Sequence, residues 1–271
     1  MVDNHLFGRL ARERSDLLYE VVGPALAGPS FLFGTVHLAC NPPWLRQVVA
    51  YMDRVQWFAG ELDLLALEPV APWTGTACRE VMGPRWVRVA LAATLAGLPV
   101  AEVAALPPMA AWFALLAAVA VDSPANTVDG RLFLAALVEG VETRGLETLS
   151  EVRDALCTLS QDVQIEALLG SEDSVVARSQ RVAGRDALRD AYVRGCVHEI
   201  VRETHRWGGP PELHRVLLGD RNARFVDRFV GMATVAPGLA AVGAAHLYGP
   251  EGMVERLRAS GHRVAAIPLG R

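Results

Sequence analysis

The sequence predicts a mixed α/β domain built from two related halves around one central sheet, each half a strand, a Gly-x-x-His motif, a helix and a second strand. A helical insertion separates the halves. Three observations predict this. "FLFGTVHL" and "LAAVGAAHL" each run an apolar strand into a glycine and set a histidine three residues further on, His37 and His246. Each is followed by a proline-containing loop, an amphipathic helix and another apolar strand. Between the copies, helical periodicity prevails from about residue 71 to about residue 203. With 271 residues, 52% of them apolar, the chain can bury one sizeable core. It reads as a single domain, residues 1–271, with its first half at about 17–70, the insertion at about 71–203 and the second half at about 204–271.

In chain order, "LLYEVV" and "FLFGTV" are short branched and aromatic runs joined by "GPALAGPS", the pattern of a hairpin or loose β-connection. "NPP" then suits a helix start, and "WLRQVVAYMDRV" has apolar residues at helical spacing. "VQWFAGELD" predicts a strand with Glu61 and Asp63 at its far end. The most apolar window, Val103 to Val121, approaches the length of a membrane span. Pro107 and Pro108 interrupt it, so it is expected to be a core helix starting at one of them. "VDGRLFLAALVEGV", "SEVRDALCTLSQDVQIEALLG" and "RDALRDAYVRGCVHEIVRE" read as further helices, and "VETRGLETLS" as a strand or loop bearing Glu147. Asp220 is placed to cap the helix "GDRNARFVDRFVGMATV", whose arginines read as a solvated face.

Composition excludes several classes. Thirty acidic residues against 26 basic ones, all arginine, leave a net charge of −4 and no electrostatic footprint for nucleic acid or an anionic membrane. Four scattered cysteines indicate neither a disulfide framework nor a thiolate zinc site. The first twenty residues lack the apolar core of a signal peptide, which makes a cytoplasmic location the expectation. "HEIVR" begins like a zincin helix, but Arg202 stands where the second histidine belongs.

The repeat points to chemistry. A strand ending at a glycine, where the backbone turns freely, would aim His37 and His246 into a shared crevice. Two imidazoles on rigid strand ends, with a carboxylate from a neighbouring strand, form a set of ligands for a divalent metal. Taken singly, each histidine would be no more than a hydrogen-bonded structural group.

Gly34-Thr35-Val36-His37 and Gly243-Ala244-Ala245-His246 together resemble the paired motifs of the TraB/GumN family, which includes the Tiki metalloproteases and stands in a wider group with erythromycin esterases and ChaN-like proteins. The resemblance extends to "FAGELD", the helix from Asp129 to Ala136, "GLET", "RNARF" and "VGAAHLYGPEGMVERLRASGHRV", in the family's order over nearly the whole chain. It implies two related α/β halves with a metal site between them and, in the Tiki branch, metal-dependent hydrolysis of peptide bonds. By position it implies His37, His246 and Glu61 as ligands of a divalent ion such as Mn, Co or Zn. Glu147 would be a further ligand or the general base, with a cap on the helix starting near Ser150 as its local alternative. Arg221 would anchor a carboxylate or stabilise an oxyanion, supported by Asn222, or else form a helix-start pair with Asp220. The substrate would be a peptide or small amide. Two other classes stay open: a metal-independent esterase with a histidine base, and a haem- or metal-binding protein without turnover.

Overall fold

A computed structural model describes residues 16–66, 71–119, 123–170, 174–205 and 209–270. Six strands form one sheet: β1 (Leu18–Val22), β2 (Ser30–Thr35), β3 (Trp57–Leu62), β4 (Glu142–Glu147), β5 (Gly238–Gly243) and β6 (Arg263–Ile267), in the order β4-β3-β5-β2-β1-β6. β2, β5, β3 and β4 run parallel; β1 lies antiparallel between β2 and β6. The chain is therefore mixed α/β, as its residue pattern predicts.

The two halves wind in opposite directions from the centre. β2 leads through α1 (Leu45–Val49) to β3, on the far side of β5; β5 leads through the last helix to β6, on the far side of β2 and β1. Because such crossovers share one hand, opposite directions put the helices on opposite faces. Leu45 and Val48 of α1 pack with Phe31, Phe33, Leu239 and Ala241. On the other face, Met253, Val254 and Leu257 of that last helix meet Leu32, Ala240 and Val242. The alternation 31/33 against 32 and 239/241 against 240/242 is the strand period of two, and both faces are buried, as parallel strands require. β1 is the strand that breaks the symmetry of the repeat.

The insertion opens with α2 (Cys78–Val81), α3 (Trp86–Leu95), α4 (Val100–Ala105) and α5 (Pro108–Val119), which build an apolar cluster around Met82, Trp86, Val89 and Leu115 that Ile165 and Leu168 complete. α5 starts at the second proline of the most apolar window and buries Met109, Ala110 and Ala111. Among the described residues no helix is long and apolar enough to cross a membrane. α6 (Val128–Val138), capped by Thr127, covers the β2 face with Val128, Leu132 and Phe133. The insertion is not purely helical, because β4 lies within it and pairs with β3. The run predicted as one helix after β4 is two, α7 (Leu149–Cys157) and α8 (Gln161–Gly170), with Ser160 placed to start the second. α9 (Ser174–Val193) and α10 (Val197–His205) complete the β2 face through Tyr192 and Ile200.

α11 (Pro211–His214) runs without a break through a π-turn at Arg215–Gly219 into α12 (Asp220–Ala233), so Asp220 caps nothing. It pairs instead with Arg215 at 2.5 Å. The arginines of α12 are not a solvated face either: Arg221, Arg224 and Arg228 all turn toward carboxylates of the sheet side. α13 (Met253–Ala259) then leads into β6.

Thr148 and Glu151 form a complete capping box at the start of α7, and Glu151 also pairs with Arg228, which donates to the Leu146 carbonyl at 2.6 Å. The Arg228 guanidinium holds the Glu151 carboxyl down at about 2. A carboxyl depressed in the folded state stabilises above its unfolded value of about 4.3 and loses that contribution as pH falls toward 2. Both side chains are about one third exposed, so solvent limits the pair to about 1 kcal/mol or less. Glu151→Gln, which retains the cap, is expected to lose that amount at pH 7 and progressively less as pH falls through about 2, measured by urea unfolding at pH values on both sides of it.

Candidate active site

The site lies at the carboxyl ends of the four parallel strands. His37 follows β2, Glu61 sits near the end of β3, Glu147 ends β4 and His246 follows β5. β2 and β5 are the neighbours from which the chain winds in opposite directions. That is the topological switch point, where a crevice opens beyond the strand ends.

The two motif glycines are required for clearance, not for a left-handed backbone, which neither adopts. A Cβ on Gly34 would stand 2.7 Å from the Leu247 side chain and 3.3 Å from the Ala244 backbone, so this glycine lets the second motif pack against the first. A Cβ on Gly243 would stand 3.2 Å from Glu61 Oε1, 3.4 Å from His37 Nε2 and 3.7 Å from His246 Cδ2. Gly243 keeps the centre of the site open.

His37, Glu61 and His246 meet there. His37 Nε2 is 3.5 Å and His246 Nε2 3.7 Å from the same oxygen, Glu61 Oε1, which also accepts the Gly243 N–H at 2.7 Å. Both rings are held from behind. His37 Nδ1 lies 3.0 Å from Asp129 Oδ2, and His246 Nδ1 lies 2.6 Å from Asn222 Oδ1. Asn222 in turn donates through Nδ2 to the Glu251 carbonyl at 2.8 Å, which fixes its amide orientation. Each neutral ring thus carries its proton on Nδ1 and turns the Nε2 lone pair toward Glu61. His246 is buried, while the His37 side chain is 64% exposed and forms the mouth of the site.

Arg221 holds the carboxylates. Its Nη2 donates to Glu61 Oε2 at 2.6 Å and to Glu147 Oε1, its Nε to Glu147 at 2.8 Å, and its Nη1 to the Leu217 carbonyl at 3.0 Å, with His246 Nε2 at 3.3 Å. Every guanidinium hydrogen is occupied within the protein, so the carboxylates it anchors are the chain's own and none is left for an oxyanion. Glu147 has a fully buried side chain and both oxygens on Arg221. That seals it from water and substrate, and its alternative as a helix cap is taken by Thr148. Asn222 supports His246, not Arg221.

The electrostatics divide the residues. Burial pushes His246 down to about 4, so its ring is neutral. Asp129 raises His37 well above the ordinary histidine value. Burial would raise Glu61, but His246, His37 and Arg221 outweigh it and hold the carboxyl well below its usual range. Burial raises Glu147 against the pull of Arg221.

Residues 17–266 match the sequence profile of the TraB/PrgY/gumN family. The chain belongs to the TraB/PrgY/gumN family. No curated protein and no solved structure matches it. In this family member, His37, Glu61, Glu147, Arg221, Asn222 and His246, all picked out in sequence, come together in one network. Sequence reasoning missed the work of Thr35 and Asp129. Asp129 belongs to a helix that carries the family resemblance, and Thr35 is an unspecified position of the first motif.

The network fits a divalent cation in kind. His37 Nε2, His246 Nε2 and Glu61 Oε1 face one another, and each imidazole has the partner on its other nitrogen that metal-binding histidines use. Donors around a tetrahedral ion with bonds of about 2.1 Å stand about 3.4 Å apart, close to the 3.5 and 3.7 Å found here. Among the described residues no group of three or more His, Cys, Asp and Glu side chains is placed to hold a metal ion; His37, Glu61 and His246 match one in donor type and spacing to Glu61 Oε1 alone.

Two outcomes are expected. Gly243→Ala puts a methyl group 3.2 Å from Glu61 Oε1 and 3.4 Å from His37 Nε2, so its far-ultraviolet dichroism is expected to stay native while a crystal structure shows both side chains displaced outward. Arg221→Ala leaves two carboxylates without their counter-ion and is expected to cost about 3–5 kcal/mol in urea unfolding, against about 1 kcal/mol for Arg228→Ala at its more exposed pair.

Proposed function

We propose that this protein is a hydrolase that uses a divalent metal ion to cleave a peptide or small amide. The observation that supports the reading is the convergence of His37 Nε2 and His246 Nε2 on Glu61 Oε1. A divalent cation bound there would take the place of the proton that Asp129 and Glu61 favour on His37.

His37, His246 and Glu61 would hold the ion. When bound, a divalent cation there supplies Lewis acidity, polarising a scissile carbonyl and making water a better acid. Arg221 is a positioning residue that keeps Glu61 ionised and presents Oε1 to the crevice. Asn222 keeps the His246 lone pair on Nε2, and Phe225, whose ring centroid lies 5.1 Å from that of His246, shields its face from water. Glu147 is the counter-ion that fixes Arg221, replacing the role of general base its position suggested. The exposed edge of His37 is where substrate enters. Specificity belongs to the insertion and the loops above the strand ends.

One observation favours a second reading. An accessible histidine backed by a carboxylate, His37 with Asp129, is also the arrangement of a general base that takes a proton from water at Nε2 without a metal.

Metal analysis decides between them. Protein purified without chelator is expected to carry close to one equivalent of Mn, Co or Zn, and His37→Ala and His246→Ala each to lose it together with at least 100-fold in activity against a peptide library. Metal-free wild-type protein with ester-cleaving activity would support the second reading. Full metal occupancy in both variants would place the site elsewhere.

A further inference from the structure

We propose that Thr35 and Asp129 act as one device that fixes the neutral tautomer of His37, so that its Nε2 lone pair points to Glu61 Oε1. The inference rests on the reading of His37, Glu61 and His246 as the reacting centre, and it assigns Thr35 and Asp129 as positioning residues.

Thr35 is 1% exposed, and its hydroxyl, with a single proton to give, donates to Asp129 Oδ1 at 2.5 Å. Asp129 Oδ2 lies 3.0 Å from His37 Nδ1. A carboxylate has only acceptor sites, so the neutral ring must carry its hydrogen on Nδ1. Asp129 is not occupied with capping α6. Thr127 does that, accepting the Gly130 N–H at 3.1 Å, and an isolated β-bridge between Ala39 and Thr127 ties the loop after His37 to the same helix start. The backbone leading to His37 is pinned as well, since the buried Tyr192 hydroxyl donates to the Gly34 carbonyl at 2.8 Å.

The second half of the molecule reaches the same end by another route. The residue after its motif glycine is Ala244, which has no hydroxyl, and the ring of His246 is set by the Asn222 amide instead. Asp129 is the second residue of α6 and Asn222 the third of α12, helices that pack on opposite faces of the sheet. Each histidine is therefore oriented by a side chain from a helix that covers one face of the sheet. Thr35 fixes the rotamer of the Asp129 carboxylate, and the Glu251 carbonyl does the same for the Asn222 amide.

Near-isosteric variants separate this device from a merely structural contact. In Asp129→Asn, the Thr35 hydroxyl holds the amide oxygen in the Oδ1 position and leaves the NH2 facing His37, so the ring must accept at Nδ1 and place its hydrogen on Nε2. Adding Thr35→Val removes that hold, and the amide can turn its oxygen to His37. In metal-free protein labelled with 15N-histidine, at alkaline pH where the rings are neutral, the expected His37 tautomers are Nδ1–H in the wild type, Nε2–H in Asp129→Asn and a return to Nδ1–H in Thr35→Val/Asp129→Asn. Titration with Mn2+ or Zn2+ by calorimetry is expected to show a 10- to 100-fold loss of affinity in the single variant and partial recovery in the double one. An Asp129→Asn ring that keeps Nδ1–H, or a double variant indistinguishable from the single, would overturn the proposal. The tautomer readout needs no cation, so a wild type that binds neither metal counts against the metal reading alone.

Discussion

Three electron-rich atoms, the Nε2 atoms of His37 and His246 and Oε1 of Glu61, are held face to face at the point where the sheet reverses its winding. Unfavourable by itself, this clustering is imposed by the rest of the fold. The parallel pairing of β2 with β5 sets the two motifs side by side, and the register that pairs Thr35 with Gly243 brings both histidines to the same end of the sheet. Gly243 leaves the space between them, and Gly34 allows the close approach of Leu247 behind it. Asp129 and Asn222 hold the rings from behind at Nδ1, so that both Nε2 atoms face inward.

Arg221 makes this arrangement tolerable. A single buried guanidinium neutralises part of Glu61 and Glu147, and Arg224 lies 3.6 Å from the second oxygen of Glu147. The two arginines stand against three carboxylates, Glu61, Glu147 and Asp129, and His37, raised well above the ordinary histidine value by Asp129, balances the third. Because Arg221 and Glu147 are nearly or fully buried, the pair is costly to break and anchors the end of β4 to α12. The π-turn that precedes Arg221 belongs to the same design, since such turns interrupt helix register at functional positions. Gly219 at its end packs where a Cβ would meet Glu251, whose carbonyl holds Asn222.

Much of this was legible in the residues. The duplicated Gly-x-x-His pattern, repeated with the same following elements, foretold the two halves, the strand ends and the meeting of His37 with His246. Glu61 was legible because it ends the strand after the first motif. The partners of Arg221 were not: Glu147 is 74 residues away and Glu61 160, and no local pattern records such pairings. For the same reason the arginines of α12 looked solvated, since helical spacing shows that they share a face but not what that face meets. The glycines were recognised as necessary for the wrong physical reason, because clearance depends on the neighbouring strand while turning freedom is a local property. Asp220 looked like a cap because a π-turn hides the continuity of the helix before it, and Thr35 was invisible because a small hydroxyl in a strand normally signifies nothing beyond β-propensity.

The account stands or falls on where a cation sits. Anomalous diffraction at the manganese edge from crystals grown with Mn2+ tests it most directly. One peak bounded by His37, His246 and Glu61, with Arg221 still on Glu147, is the result this account predicts. Crystals whose only manganese lies elsewhere, or whose two imidazoles approach Glu61 through protons with no metal between them, would contradict it.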